Sequence, residues 1–326
     1  MSCSSRPRLR GLCVIFTLVA LFVAAPAAHA AQTAPVIQAP VANGTYLALG
    51  DSLAFGYQAA KVGACAPTGC TSPDTQFSTG YVDVFGSLFG AAALNVNTVN
   101  LGCPGETSAT LINATNATTG CTTYPFPIHS NHPGKTQLQA ALNVLDERGK
   151  RVSPITLDIG ANDILGLVRG TCTSGGVISL SCVQANAPAT FATIQSNIDY
   201  TLNRLRDEGG VKHEIIVIGT YNVLYPAIFQ QVLTQTGNPA LATQAADGTD
   251  ALAASLNALE AATAAKYRAV FVDPMPVFNP QGAPHPQLEI GTICTLTAVC
   301  GPLQDIHPTD TGYQAYGNLV KQTSGF

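Results

Sequence analysis

The stretch TYLALGDSLAFGY, residues 45–57, decides the fold. Thr45 to Leu49 is a short apolar run without alternation, which reads as a strand buried on both faces of a parallel sheet. Gly50-Asp51-Ser52 then turns the chain, and the apolar residues after it read as the start of a helix. Four further runs of the same kind follow, at Val96–Leu101, Ile155–Ile159, Glu214–Ile218 and Ala269–Val272. Between them lie amphipathic or alanine-rich segments at 80–93, 135–149, 186–208 and 247–267, and a last helix is predicted over 309–321. Strands alternating with helices predict a three-layer α/β/α sandwich around a parallel sheet.

The connections at 63–79, 113–134, 170–185 and 225–243 are long and rich in Pro, Gly, Thr, Ser or Cys, and each is expected to run as a loop near the carboxyl edge of the sheet. In open α/β sheets that edge is where ligands bind. No repeat, charge block or domain-length linker interrupts the chain, so a single domain is expected over 31–326.

The first 30 residues have a different character. Arg6, Arg8 and Arg10 precede an almost wholly apolar run, Leu12–Ala25, which closes on Ala28-His29-Ala30. A basic start, a short apolar core and small residues at the end are the marks of an export signal cleaved after Ala30. The apolar run is shorter than the roughly 20 residues of a membrane-spanning helix. A secreted product without a membrane anchor is therefore expected. Loss of the three arginines takes the formal charge from −4 to −7. An acidic chain of this kind argues against nucleic acid as a partner.

Eight cysteines lie beyond the export segment: Cys65, Cys70, Cys103, Cys121, Cys172, Cys182, Cys294 and Cys300. An exported chain favours disulfides over metal ligation, and no pair has the CxxC form of a zinc site. The spacing leaves the connectivity open, although the eight fall into four close pairs along the chain.

Four positions could carry chemistry. Ser52 stands at a strand end, where its backbone N–H can face developing negative charge. His307, in Asp305-Ile306-His307-Pro308, can take the serine proton near neutral pH. Asn162, in Gly160-Ala161-Asn162-Asp163, can donate its amide to an oxyanion. Gly105, after Cys103-Pro104, lets a substrate oxygen approach a backbone N–H, with Gly102 as its rival. His129, His132, His213 and His285 read as structural or surface residues.

Together and in this order, the blocks GDSLAFGY (50–57), NLGCPGETS (100–108), GAND (160–163) and DIHPTDTGY (305–313) resemble those of the SGNH/GDSL hydrolase family. They run through nearly the whole chain. The resemblance implies a flavodoxin-like sandwich with five parallel strands, and a secreted esterase or lipase that needs no cofactor or metal. Ser52 would be the nucleophile and His307 the general base. The backbone N–H groups of Ser52 and Gly105 and the Asn162 amide would hold the oxyanion.

One block departs from the family pattern. The family's acid stands three residues before the histidine, where this chain has Gln304, and Asp305 is one residue nearer. Either Asp305 reaches the imidazole or a backbone carbonyl orients it. The expected substrate is a lipid or short-chain acyl ester and the expected state a monomer. A polysaccharide deacetylase is the alternative, made less attractive by the absence of tryptophan, the commonest sugar-stacking side chain. A non-catalytic binding protein is a third reading, against which stands the presence of Ser52, Asn162 and His307.

Overall fold

The computed structural model describes residues 41–67, 69–91, 94–113, 121 and 124–324. The export segment expected at 1–30 lies outside them. Five strands, β1 (Thr45–Gly50), β2 (Asn97–Asn100), β3 (Val152–Asp158), β4 (Ile215–Ile218) and β5 (Val270–Val272), form one sheet in the order β2-β1-β3-β4-β5. Every neighbouring pair is parallel. This is the flavodoxin-like order, and the expected three-layer sandwich is what the chain forms.

Alternation along the strands decides which helix covers which face. Leu47, Leu49, Ile155, Leu157, Ile215 and Val217 share one core cluster. On them pack α3 (Gln137–Arg148), α5 (Leu180–Asp207) and α7 (Pro239–Lys266), through residues such as Leu138, Ile194, Leu202 and Leu256. Tyr46, Ala48, Ile216, Ile218, Val270 and Val272 point the other way. They meet α2 (Tyr81–Ala91) and α8 (Asp310–Ser324) through Tyr81, Phe85, Tyr313 and Tyr316. With both faces covered, a strand gains nothing from polar alternation, which is why β1 reads as a continuous apolar run. Two short helices follow strand ends, α1 (Ser52–Phe55) after β1 and α4 (Ala161–Leu165) after β3.

Several segments differ from the reading of the sequence. Among them are 63–79, expected as a loop, which holds the end of a helix at Ala59–Cys65 and a short one at Pro73–Gln76, and the helix Gln287–Leu296, which was not expected. Residues 225–243, expected as a loop, hold α6 (Tyr225–Thr236) and the first turn of α7. The residues that looked like loop formers are helix punctuation. Pro226 and Pro239 stand in first turns, Gly237 closes α6 in the left-handed region, and the Asn238 side chain accepts from the N–H groups of Ala240 and Leu241. Likewise, 170–185 is not all loop. Thr173–Ser174 pairs antiparallel with Val177–Ile178, and α5 starts at Leu180, six residues before the expected position. Ser179 caps that early start, accepting from the N–H of Cys182. Pro188 cannot donate to the carbonyl of Gln184, but Gln184 is exposed, so water can satisfy that oxygen.

The eight cysteines of the described region form four disulfides between sequence neighbours: Cys65–Cys70, Cys103–Cys121, Cys172–Cys182 and Cys294–Cys300. Such a set belongs to an oxidising compartment. Among the described residues, no helix is long and apolar enough to cross a membrane.

Candidate active site

The sheet order reverses between β1 and β3, and at that switch point the two following loops diverge and leave a crevice. Ser52 enters it from β1 and Asn162 from β3. Asp51 caps α1, accepting from the N–H of Leu53 at 2.9 Å, so Ser52 occupies the first helical position. Gln137 on α3 grips the end of β1 from below. Its Oε1 accepts from the N–H of Gly50, and its Nε2 donates to the Gly50 carbonyl at 2.7 Å and to Glu106 Oε2 at 2.9 Å.

His307 arrives from the loop before α8, and its backbone is fixed on several sides. Its carbonyl accepts from Ala298, the carbonyl of Ile306 accepts from the Tyr221 hydroxyl, and that of Pro308 accepts from Gln58. The imidazole Nε2 lies 2.8 Å from Ser52 Oγ, and Nδ1 lies 2.5 Å from Asp305 Oδ1. A carboxylate only accepts, so Nδ1 carries the proton and Nε2 is free to accept from the serine.

Asp305 therefore reaches the imidazole despite standing one residue nearer than the family's acid. Gln304, with φ at +47°, takes up the displacement in a left-handed turn. The other Asp305 oxygen accepts from the N–H of Ala59 at 2.7 Å. Burial pushes this carboxyl up, but the hydrogen bond and charge of His307, with the backbone donors, outweigh burial and hold it below the ordinary range.

Asn162 donates through Nδ2 to the Glu106 carbonyl at 2.9 Å and to Asp51 Oδ2 at 3.2 Å. It thus bridges the turn below Ser52 and the loop that carries Gly105. The two glycine candidates separate clearly. Gly102 is buried, its N–H is taken by Asn100 Oδ1, and a Cβ there would lie 2.6 Å from the Phe55 nitrogen. Gly105 is exposed at φ +83°, next to Glu106, although it does not reach the wall of the cavity that Ser52, Asn162 and His307 line.

That cavity, of about 70 Å³, opens beside Ser52 and is walled deeper in by apolar side chains of α4, α5 and α7. On the other side of His307 stands an aromatic group. The Tyr57 ring centroid is 4.5 Å from the imidazole, and Tyr124 and Phe126 lie beyond it.

The sequence reading missed a buried pair of acids behind the serine. Asp51 and Asp158 are each 2% exposed. Asp158 Oδ1 accepts from the Tyr81 hydroxyl at 2.5 Å, while its Oδ2 is buried without a partner. Burial and the neighbouring Asp51 charge push Asp158 well up. Burial also raises Asp51, against the Leu53 N–H and the positive side of His307, to about 6. The signal was available, since an acid closes the apolar run Ile155–Leu157.

The remaining histidines whose contacts are seen serve the frame. His129 bonds the Phe55 carbonyl and Asp74, and His285 bonds Asp247. The atoms of Cys103, Cys121 and His132 lie within 4.8 Å of one another, but the two cysteines are joined as a disulfide and offer no thiolate to a metal.

Comparison with known proteins places this geometry. The profile of the GDSL-like lipase/acylhydrolase family matches residues 48–315. Among solved structures, the phospholipase A1 from Streptomyces albidoflavus NA297 is 18% identical with a TM-score of 0.50, over 86% of this chain and 100% of that one. An extracellular lipase from Streptomyces rimosus is 17% identical with a TM-score of 0.48, over 86% and 99%. An acetylxylan esterase from Geobacillus stearothermophilus is 17% identical with a TM-score of 0.46, over 88% and 96%. No curated protein matches the sequence.

Proposed function

The chain belongs to the GDSL-like lipase/acylhydrolase family, and from that premise we propose that it is a secreted serine hydrolase that cleaves carboxylic esters of lipid or short-chain acyl groups through an acyl-enzyme on Ser52. The observation that carries this reading is the relay Ser52 Oγ, His307 Nε2, His307 Nδ1 and Asp305 Oδ1, with steps of 2.8 Å and 2.5 Å.

In the first half-reaction His307 Nε2 takes the Ser52 proton as Oγ attacks the ester carbonyl carbon. Asp305 holds the Nδ1 tautomer and balances the imidazolium charge. The carbonyl oxygen becomes an oxyanion and turns to the N–H groups of Ser52 and Gly105 and to the Asn162 amide. Both Asn162 amide hydrogens are engaged without substrate, and the longer contact, to Asp51, is the one an oxyanion displaces. Collapse breaks the bond to the alcohol oxygen, which leaves with the proton from His307. In the second half-reaction His307 deprotonates a water, which attacks the acyl carbon, and Ser52 recovers its proton as the acid departs.

Secretion is supported by the export-like residues 1–30 and by the four disulfides. The apolar cavity favours an acyl ester over the deacetylation of a polysaccharide. The test is hydrolysis of p-nitrophenyl esters by wild type and Ser52→Ala. Activity that vanishes in the variant supports the reading. A wild type that turns over no ester, or a variant that keeps its activity, refutes it.

A further inference from the structure

The two sides of the relay differ in chemistry. The wall of the cavity beyond Ser52 is built by Ile164 and Leu165 of α4, Phe191 of α5, and Leu252, Ala253 and Leu256 of α7. Positions 252, 253 and 256 on a helix fall on one face, so α7 presents a mostly apolar strip to the cavity, with Thr249 at its end. No charged side chain other than Asp51 stands on the wall away from His307, and Asp51 is committed to Leu53 and Asn162.

Resting on Ser52 as the acylated nucleophile, we infer that this cavity takes an unbranched acyl chain and that Ala253 and Leu252 of α7 set the length it accepts. The directions at the reacting carbon support the assignment. The leaving oxygen must receive its proton from His307 Nε2 and so lies toward the imidazole, on whose other side Tyr57 stands. The oxyanion turns toward Asn162. The third substituent, the acyl chain, is left the space beyond Ser52, walled by α4, α5 and α7 together with Tyr221.

Two isomeric esters separate the acyl side from the alcohol side at equal overall apolarity: ethyl hexanoate carries the six-carbon chain on the acyl side, and hexyl acetate carries it on the alcohol side. Burial is worth about a fourfold gain in kcat/KM per methylene. Four additional acyl methylenes then predict a preference for ethyl hexanoate over hexyl acetate of about 250-fold. Ala253→Phe fills the cavity and is expected to lose most of that preference, read as the ratio of kcat/KM for the two isomers. Leu252→Ala is expected to move the optimum of a straight-chain ethyl ester series to longer acyl groups, and it stands as the test where Ala253→Phe does not fold. Equal turnover of the two isomers, or variants whose acyl profile matches wild type, overturns the assignment while leaving the hydrolase reading intact. A wild type that hydrolyses no ester refutes both, and a Ser52→Ala enzyme that keeps its chain preference refutes the acyl-enzyme alone.

Discussion

Replacing Asp51 by Asn is expected to flatten the dependence of stability on pH. Asp51 is 2% exposed, and burial holds its folded carboxyl at about 6 against 3.8 for the free side chain. A group raised on folding contributes stability that is whole below 3.8 and is lost as pH rises toward and past 6. The gap of about two pH units, at 1.36 kcal/mol each, makes the loss about 3 kcal/mol. An amide in its place would not ionise, and the amide oxygen can still cap α1 through the N–H of Leu53, since Asn caps as well as Asp. Urea unfolding of both proteins between pH 4 and pH 8 is the assay. Relative to wild type, Asp51→Asn should gain about 2.4 kcal/mol on going from pH 4 to pH 8, since part of the change already lies below pH 4. Parallel profiles would show that the buried carboxyl is not strained by its surroundings and would refute the reasoning. The enzyme would keep so costly a charge because Asp51 Oδ2 also holds the Asn162 amide, so the same variant should hydrolyse esters more slowly.

Asp305→Asn should lower kcat by roughly 10²–10⁴ with little change in KM, because the amide no longer imposes the Nδ1-protonated tautomer; near-normal turnover would assign that work to the backbone. Asp305 has the opposite pH sign to Asp51. Its carboxyl is lowered on folding, so its contribution is present above 3.8 and fades as pH falls through its folded value, and acid melts of Asp305→Asn should lack that fade. Gln137→Ala removes the acceptor of the Gly50 N–H, while the Gly50 carbonyl keeps the N–H of Cys103, and should cost about 1–3 kcal/mol in a denaturant titration, with a fall in activity as the Ser52 turn loosens. Replacing Cys103 and Cys121 by Ser opens a loop spanning 18 residues beside Gly105 and should cost about 3 kcal/mol, read as a drop in thermal midpoint.

Local chemistry made much of this protein legible in its sequence. An apolar run ending in Gly50-Asp51-Ser52 marks a buried strand and its exit, because a strand covered on both faces has no reason to alternate. The same logic located β3, β4 and β5, while β2, an edge strand exposed at Asn97 and Thr98, was found from its place in the strand–helix alternation, and the four sequence blocks located Ser52, Gly105, Asn162 and His307. The helices at 225–236 and 239–266 were harder to read. Their proline, glycine and asparagine are cap residues, and composition alone does not distinguish a cap from a loop.

Three matters were decided only when distant segments met. Sequence spacing left Asp305 short of the family's position, and whether it reached His307 depended on a left-handed Gln304 and on an N–H from Ala59, 246 residues away in the chain. Gly102 is closed off because Ala54 and Phe55 pack onto it from the segment after Ser52, so that a Cβ there would lie 2.6 Å from the Phe55 nitrogen. The acid pair behind Ser52 exists because β1 and β3 lie side by side with Gly50 opposite Asp158, so two carboxyls over a hundred residues apart share one buried space. Propensity and periodicity act over a few residues, whereas a hydrogen bond or a desolvated charge is set by whatever the tertiary fold brings within about 3 Å.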